Sequence, residues 1–280
     1  MKAPLFVLLS LAALTGCVTT PPGESPIEEA QRRMKAEPPM VVADGCLYRR
    51  NAFYLDHYII DESRELGEQG AKEVIAGFKE LGEVNIKQFV VPLMCATEMP
   101  PRGEVKGGRI APNKDQLDQG KSLTFPEPLS PVVAKDEKLM AAYTQLFGNC
   151  DDARYRKERR YDCPLLSPEQ AALLKTRLKT PYVVALSVGG ERLSAANRGA
   201  GALLGLLLGG VGIGTDGANA RVRLVNLETG NLVYSSYPSE FNGRTPADLD
   251  GFEAGSGRDA LALTDNWVKR MVKPLFEKQR

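Results

Sequence analysis

The 280-residue chain carries 36 Lys plus Arg against 35 Asp plus Glu and is 43% hydrophobic. That apolar content supports a folded body with a sizeable core. The near balance of charge excludes an overall field that would draw the chain onto nucleic acid or an acidic surface, so electrostatic recognition has to be local.

Residues 1–16 place Lys2 before an apolar run over 3–14 and small residues before Cys17, which is export-signal architecture and too short for a membrane span of ~20 apolar residues. Leu14-Thr15-Gly16-Cys17 resembles a bacterial lipobox. The resemblance implies cleavage before Cys17, diacylglycerol on its sulfur and an acyl group such as palmitate on the new amino terminus. Several acyl chains anchor stably where one holds only marginally. Val18 stands where an Asp would imply inner-membrane retention, so the expected location is the outer membrane, facing the periplasm.

Setting Cys17 aside leaves Cys46, Cys95, Cys150 and Cys163, an even set in an oxidising compartment, and disulfides are expected. The preferred pairing joins Cys150 to Cys163, close in sequence, and Cys46 to Cys95, in two predicted strands. No C-x-x-C pair occurs and the one histidine is His57, so zinc-ligand spacing is absent and no metal or cofactor is expected.

Along the chain, residues 17–39 are rich in Pro, Thr, Glu and Lys and read as a flexible tether, with helical turns over 27–35. Residues 40–50 form a first strand with a bulge at Asp44 and Gly45. Residues 51–63 are aromatic and acidic, and His57 there lacks a companion nucleophile motif. Leu66, Ala71, Val74, Ile75, Phe78 and Leu81 recur at helical spacing over 64–81, and Gly82 supplies a stop. A strand over 86–96 follows, with Pro92 marking a bulge or an edge. Strand, helix and strand in succession predict a βαβ unit and a mixed sheet. Residues 97–131 lack periodicity and read as a loop insert.

Helical spacing resumes over 132–147. Between Cys150 and Cys163, Arg154, Arg156, Lys157, Arg159 and Arg160 interleave with Tyr155 and Tyr161. Closed by a disulfide, this loop would be preorganised for an acidic glycan, a lipid phosphate or a protein. The alternative is a solvated turn neutralised by Asp151, Asp152, Glu158 and Asp162. Ser167 and Pro168 start a helix to 178, and strands are expected over 182–192, 220–227 and 232–237, the last two joined by a turn over 228–231. A helix over 257–278 closes the chain. The expected fold is α/β: one periplasmic domain over 40–280, a mixed β-sheet with helices packed on it, and a glycine-rich insertion over 199–217.

Within that insertion, residues 212–217 match G-x-G-x-x-G letter for letter. A dinucleotide site needs a strand before the glycines and a helix after them, and here an apolar run precedes and a strand follows. Gly201, Gly205 and Gly209 would line one ridge of a helix and admit close approach of another backbone. Residues 199–214 would rise ~24 Å as a helix, short of a ~30 Å hydrocarbon core. The stretch therefore meets the protein's own body, a sister subunit or, with neighbouring copies, the membrane. No G-x-S-x-G, H-E-x-x-H or Walker motif is present and no catalytic residue can be nominated.

The order of elements, with YVVALSVGG, the glycine-rich insertion and ARVRLVNLETGNLVYSS near its centre, resembles periplasmic outer-membrane lipoproteins of the CsgG, PelC and LpoB type. Asn226, Thr229, Gly230, Leu232 and Tyr234 fall where that group carries a D-x-x-T-G-x-x-x-W turn, with Asn and Tyr in place of Asp and Trp. The resemblance implies a compact α/β domain that binds envelope proteins or assembles into rings, without catalysis. The expected function is a structural or accessory subunit of an envelope assembly, for secretion or polysaccharide export, that self-associates. The alternative is a monomeric module that regulates a cell-wall or transport enzyme through the basic loop.

Overall fold

The computed structural model describes residues 24–50, 56–58, 60–96, 127–148, 150, 163–193, 217–236 and 265–277. Strand β1 (Met40–Arg50) runs through the sheet with parallel neighbours β3 (Phe89–Met94) and β6 (Tyr182–Leu193). Beyond β6 the sheet turns antiparallel through β7 (Gly217–Asn226) and β8 (Asn231–Ser235). Three short strands complete it: β2 (Asp56–Tyr58) on β1, β4 (Glu127–Pro128) on β3 and β5 (Cys163–Pro164) on β8. The order is β4-β3-β1-β6-β7-β8-β5, a mixed sheet as the sequence predicts.

Helices cover both faces because alternate strand residues are apolar in both directions. Val41, Ala43, Leu47, Val184, Leu186, Val222 and Leu224 pack with α1 (Pro26–Ala36), α2 (Ile60–Gly82) and α6 (Asp265–Phe276). Val42, Val183, Ala185, Val225 and Leu232 pack with α3 (Pro131–Ala134), α4 (Glu137–Gln145) and α5 (Pro168–Leu178). The result is a three-layer sandwich. Within it, β1, α2 and β3 form the expected βαβ unit. The irregularity foreseen near Asp44 also occurs: β1 and β3 slip register between Val42 and Asp44, opposite Pro92, which has no N–H to give a ladder.

Four expectations need correction. The expected tether over 17–39 is, from residue 26 to 36, the ordered helix α1. Ser25 caps it reciprocally with Glu28, and Ile27, Ala30 and Met34, at positions i, i+3 and i+7, are at most 1% exposed. A helix with so buried a stripe belongs to the body. The insert over 97–131 ends in structure, since β4 pairs with β3 and α3 starts at Pro131. The helix expected over 132–147 is two helices, because the Asp136 side chain accepts from Leu139 N–H at 3.0 Å and starts a fresh one. Gly217, the last residue of the expected glycine-rich insertion, already lies in β7.

The turn between β7 and β8 explains why the residues Asn226, Thr229 and Gly230 stand where they do. Asn226 Oδ1 accepts from Glu228 N–H at 2.8 Å, and Thr229 Oγ1 accepts from Asn231 N–H at 3.3 Å. Gly230 has φ +76° and its carbonyl accepts from Leu165 and Leu166 N–H at 3.0 and 2.9 Å. A Cβ there would lie 2.6 Å from Leu166 O. Gly230→Ala combines a left-handed backbone with a backbone clash, so thermal or urea unfolding should show a loss of about 2 kcal/mol or more. Unchanged stability would remove this account of the turn. Tyr234, 4% exposed, donates its hydroxyl to Met271 O and so ties α6 to the sheet.

Candidate functional site

Strand register gathers chemistry midway along the central strands that chain order keeps apart. Asp44 on β1 lies opposite Ser187 on β6, which lies opposite Arg221 on β7. The three form a polar row straight across the sheet, on the face packed by α3, α4 and α5. One rung further, Arg223 lies opposite both Ala185 and Ser235. Asp44 is fully buried, Arg223 is 1% exposed and Ser187 is 9% exposed. Desolvated charges persist only with good partners. Asp44 Oδ2 accepts from Ala96 N–H at 2.9 Å, and Arg223 Nη1 donates to Leu146 O at 2.9 Å, at the carboxyl end of α4 where a cation is favoured.

Next to this row a disulfide joins Cys46 to Cys95, across the parallel pair β1 and β3, with Cα atoms 4.7 Å apart. A second joins Cys150 to Cys163 with Cα atoms 6.3 Å apart. Both spans are ordinary for disulfides. The four cysteines therefore pair in the preferred connectivity. The first bridge ties β1 to the residue just past the end of β3, on the side of the sheet towards which β1, β3, β6 and β8 all run, with β1 and β6 continuing beyond it to the rung of Arg50 and Leu193. In open α/β sheets, ligands and partners meet that carboxyl end. Cys163, opposite Leu232, roots the second bridge near the other end, at the β8 edge.

The remaining sequence-nominated residues lie outside the described residues: Cys17, the glycines Gly201, Gly205 and Gly209, and the basic set Arg154, Arg156, Lys157, Arg159 and Arg160. The glycines belong to the connection that leaves β6 and enters β7 just past the rung of Glu191 and Gly217. His57 sits in β2 opposite Arg49. Among the described residues no group of His, Cys, Asp and Glu is arranged to hold a metal ion, and no helix is long and apolar enough to cross a membrane.

A second cluster, at the opposite end of the sheet, was invisible in the sequence. Arg33 on α1 donates to Glu228 at 2.7 Å and to Glu29 at 3.4 Å, and its guanidinium lies 5.4 Å from the centre of the Tyr182 ring. Lys175 on α5 reaches the other oxygen of Glu228 at 2.9 Å. Glu228 thus takes one cation from each helical layer around the end of the sheet. The Arg33 hydrogen bond, then the Lys175 one, hold its carboxyl down at about 2, against desolvation. Burial, first of all, pushes the Tyr182 phenol up to about 12.

These shifts set a pH window. A carboxyl lowered in the folded state contributes its full stability above its ordinary value of 4.5 and loses it as pH falls through about 2. Glu228→Gln should therefore cost stability at neutral pH, modestly because the pair is partly exposed, and cost progressively less as pH falls between those values, which flattens the acid limb. An acid limb identical to the parent's would sink the assignment. The raised phenol works in the other direction: its contribution is whole below 10 and is lost as pH rises through about 12.

These features define an α/β sandwich with a bridged, loop-bearing carboxyl end and a clamped amino-terminal helix. No protein-family model matches the chain, and no curated protein or solved structure matches it significantly.

Proposed function

We propose that this protein is a non-enzymatic outer-membrane lipoprotein, held in the membrane through lipidated Cys17, that serves as a structural or accessory subunit of a cell-envelope assembly and self-associates through the glycine ridge. The observation that carries the reading is the pairing of all four remaining cysteines. Such a complete set of disulfides suits an exported protein, and the lipobox-like Leu14-Thr15-Gly16-Cys17 supplies the anchor. The likeness of element order to CsgG, PelC and LpoB-type lipoproteins points the same way, as does the placing of the glycine-rich connection at the bridged carboxyl end.

Cys17→Ser should move the protein from the membrane to the soluble periplasmic fraction and remove the acyl mass from its mature amino terminus. A variant that stays on the membrane with an unchanged terminus would overturn the anchor. For assembly, Gly205→Leu with Gly209→Leu should abolish oligomers seen by crosslinking in intact cells. The alternative, a monomeric regulator of a cell-wall or transport enzyme, predicts instead that Arg156→Glu with Arg159→Glu removes a crosslinked partner while mass and fold are kept. Its support is the Cys150–Cys163 bridge that closes the basic loop at its base.

A further inference from the structure

We propose that the side of the body formed by α1 and α6 faces the bilayer, lying against the lipid headgroups, and that the α3, α4 and α5 side faces away from it. The inference rests on Cys17 being the lipidated residue and goes further by fixing which surface meets the membrane.

The argument starts from where the chain enters the body. Glu24 is held by a bidentate pair with Arg32, both contacts at 3.0 Å, which the backward tilt of helical side chains allows across eight residues of sequence. Ser25 and Glu28 close a capping box at the next position. Ile27, Ala30 and Met34 then lock α1 into the core beside α6, and Gln31 donates to Leu275 O. The entry point is thus fixed on the outside of one helical layer.

Residues 18–23 alone separate Cys17 from Glu24. Whatever path they take, seven Cα–Cα steps reach no more than about 25 Å. The sandwich itself is about 30 Å thick, from two helix layers ~10 Å either side of the sheet and a helix radius beyond each. A chain leaving the outside of the first layer would have to pass round the sheet edge and across that whole thickness to bring the second layer down onto the membrane. It is too short to do so.

The surface left facing the lipid suits headgroups rather than insertion. Arg32, Arg270 and Lys273 are exposed there on α1 and α6 beside Glu28, with Arg32 paired to Glu24 and Lys273 to Glu277, a mixed-charge surface. Of the large exposed apolar side chains among the described residues, Val132 lies in the other layer and Ile60 stands alone at the start of α2, so neither α1 nor α6 presents an apolar patch for insertion. By the same geometry the Cys150–Cys163 bridge, packed in the second layer's core, lies on the side away from the bilayer.

The test uses the full-length acylated protein in vesicles of phosphatidylethanolamine and phosphatidylglycerol carrying a headgroup nitroxide. A fluorescent residue is placed at Lys273, on α6, or at Lys138, on α4; each parent lysine makes only an exposed ion pair. Several-fold stronger quenching at position 273 is expected, and insertion of about 20 Gly and Ser residues between 18 and 23 should erase the difference, since a flexible chain of that length spans roughly 25 Å on average and more when extended. Equal quenching in the parent, or stronger quenching at 138, overturns the proposal while leaving the anchor intact. Protein that fails to float with the vesicles overturns the lipidation reading and the proposal with it.

Discussion

Gly45→Ala should lose about 3 kcal/mol or more of stability, the largest effect expected of an added methyl group at any described glycine. Gly45 sits where α2 crosses β1. A Cβ there would fall 1.9 Å from Ser63 O and 2.7 Å from Gly67 N, both backbone atoms. No rotamer relieves such a clash, so the helix must move off the strand. That shift would pull at Ser63, whose hydroxyl accepts from Leu47 N–H at 2.8 Å and donates to Leu47 O at 3.3 Å. Gly67 across the contact is tight too, its own Cβ falling 3.2 Å from Gly45 N. Urea unfolding of the soluble Cys17→Ser protein would measure the loss. A midpoint equal to the parent's would mean that α2 does not approach β1 this closely.

The second large effect concerns Cys46, the next residue, which points to the other face. Cys46 and Cys95 close a loop with a sequence separation of 49, whereas Cys150 and Cys163 close one of 13. Constraint of the unfolded chain then stabilises by about 4 kcal/mol for the first and about 3 kcal/mol for the second. The paired variant Cys46→Ala with Cys95→Ala should therefore unfold at a lower urea concentration than Cys150→Ala with Cys163→Ala. Cys95 adds to the difference, since its φ of +59° is a conformation few side chains adopt without something to hold it. Equal losses, or the reverse order, would show that native packing rather than loop closure sets the value of these bridges.

Much of the architecture was legible because it is local. The apolar spacing of Leu66, Val74 and Phe78 gave α2, and the Ser167-Pro168 start gave α5, where Ser167 accepts from Gln170 N–H as a cap should. Pro92 marks the irregular stretch between β1 and β3, because its missing N–H acts on its own backbone, whereas Gly45, expected in the bulge, stays in register with Met94. Helix α1 was half hidden. Its flanking prolines and alternating charges read as a tether, although the Ser25 to Glu28 spacing was a capping box in plain sight.

The polar row was not legible at all. Asp44, Ser187 and Arg221 become neighbours only through the parallel pairing of β1 with β6 and the antiparallel pairing of β6 with β7, and no periodicity within one strand encodes a register with another. Arg33 and Glu228 meet for a similar reason, 195 positions apart. The opposite holds for the cysteines, where closeness in sequence for Cys150 and Cys163 and two predicted strands for Cys46 and Cys95 favour the observed pairing among three possible ones.

The clamped helix also decides how the molecule bears force. A slack tether would absorb a pull on the amino terminus, but here tension passes from Glu24 into α1 and, within residues 37–39, into β1. Thr180 holds this short link by donating to Pro38 O at 3.1 Å. Strand β1 is hydrogen-bonded to β6 along its whole length and, on its other side, to β3 over 41–45 and to β2 over 48–50, so a load along it shears many bonds together instead of opening them one by one. The amino-terminal end is therefore built as a mechanical coupling, stiff where it enters the core.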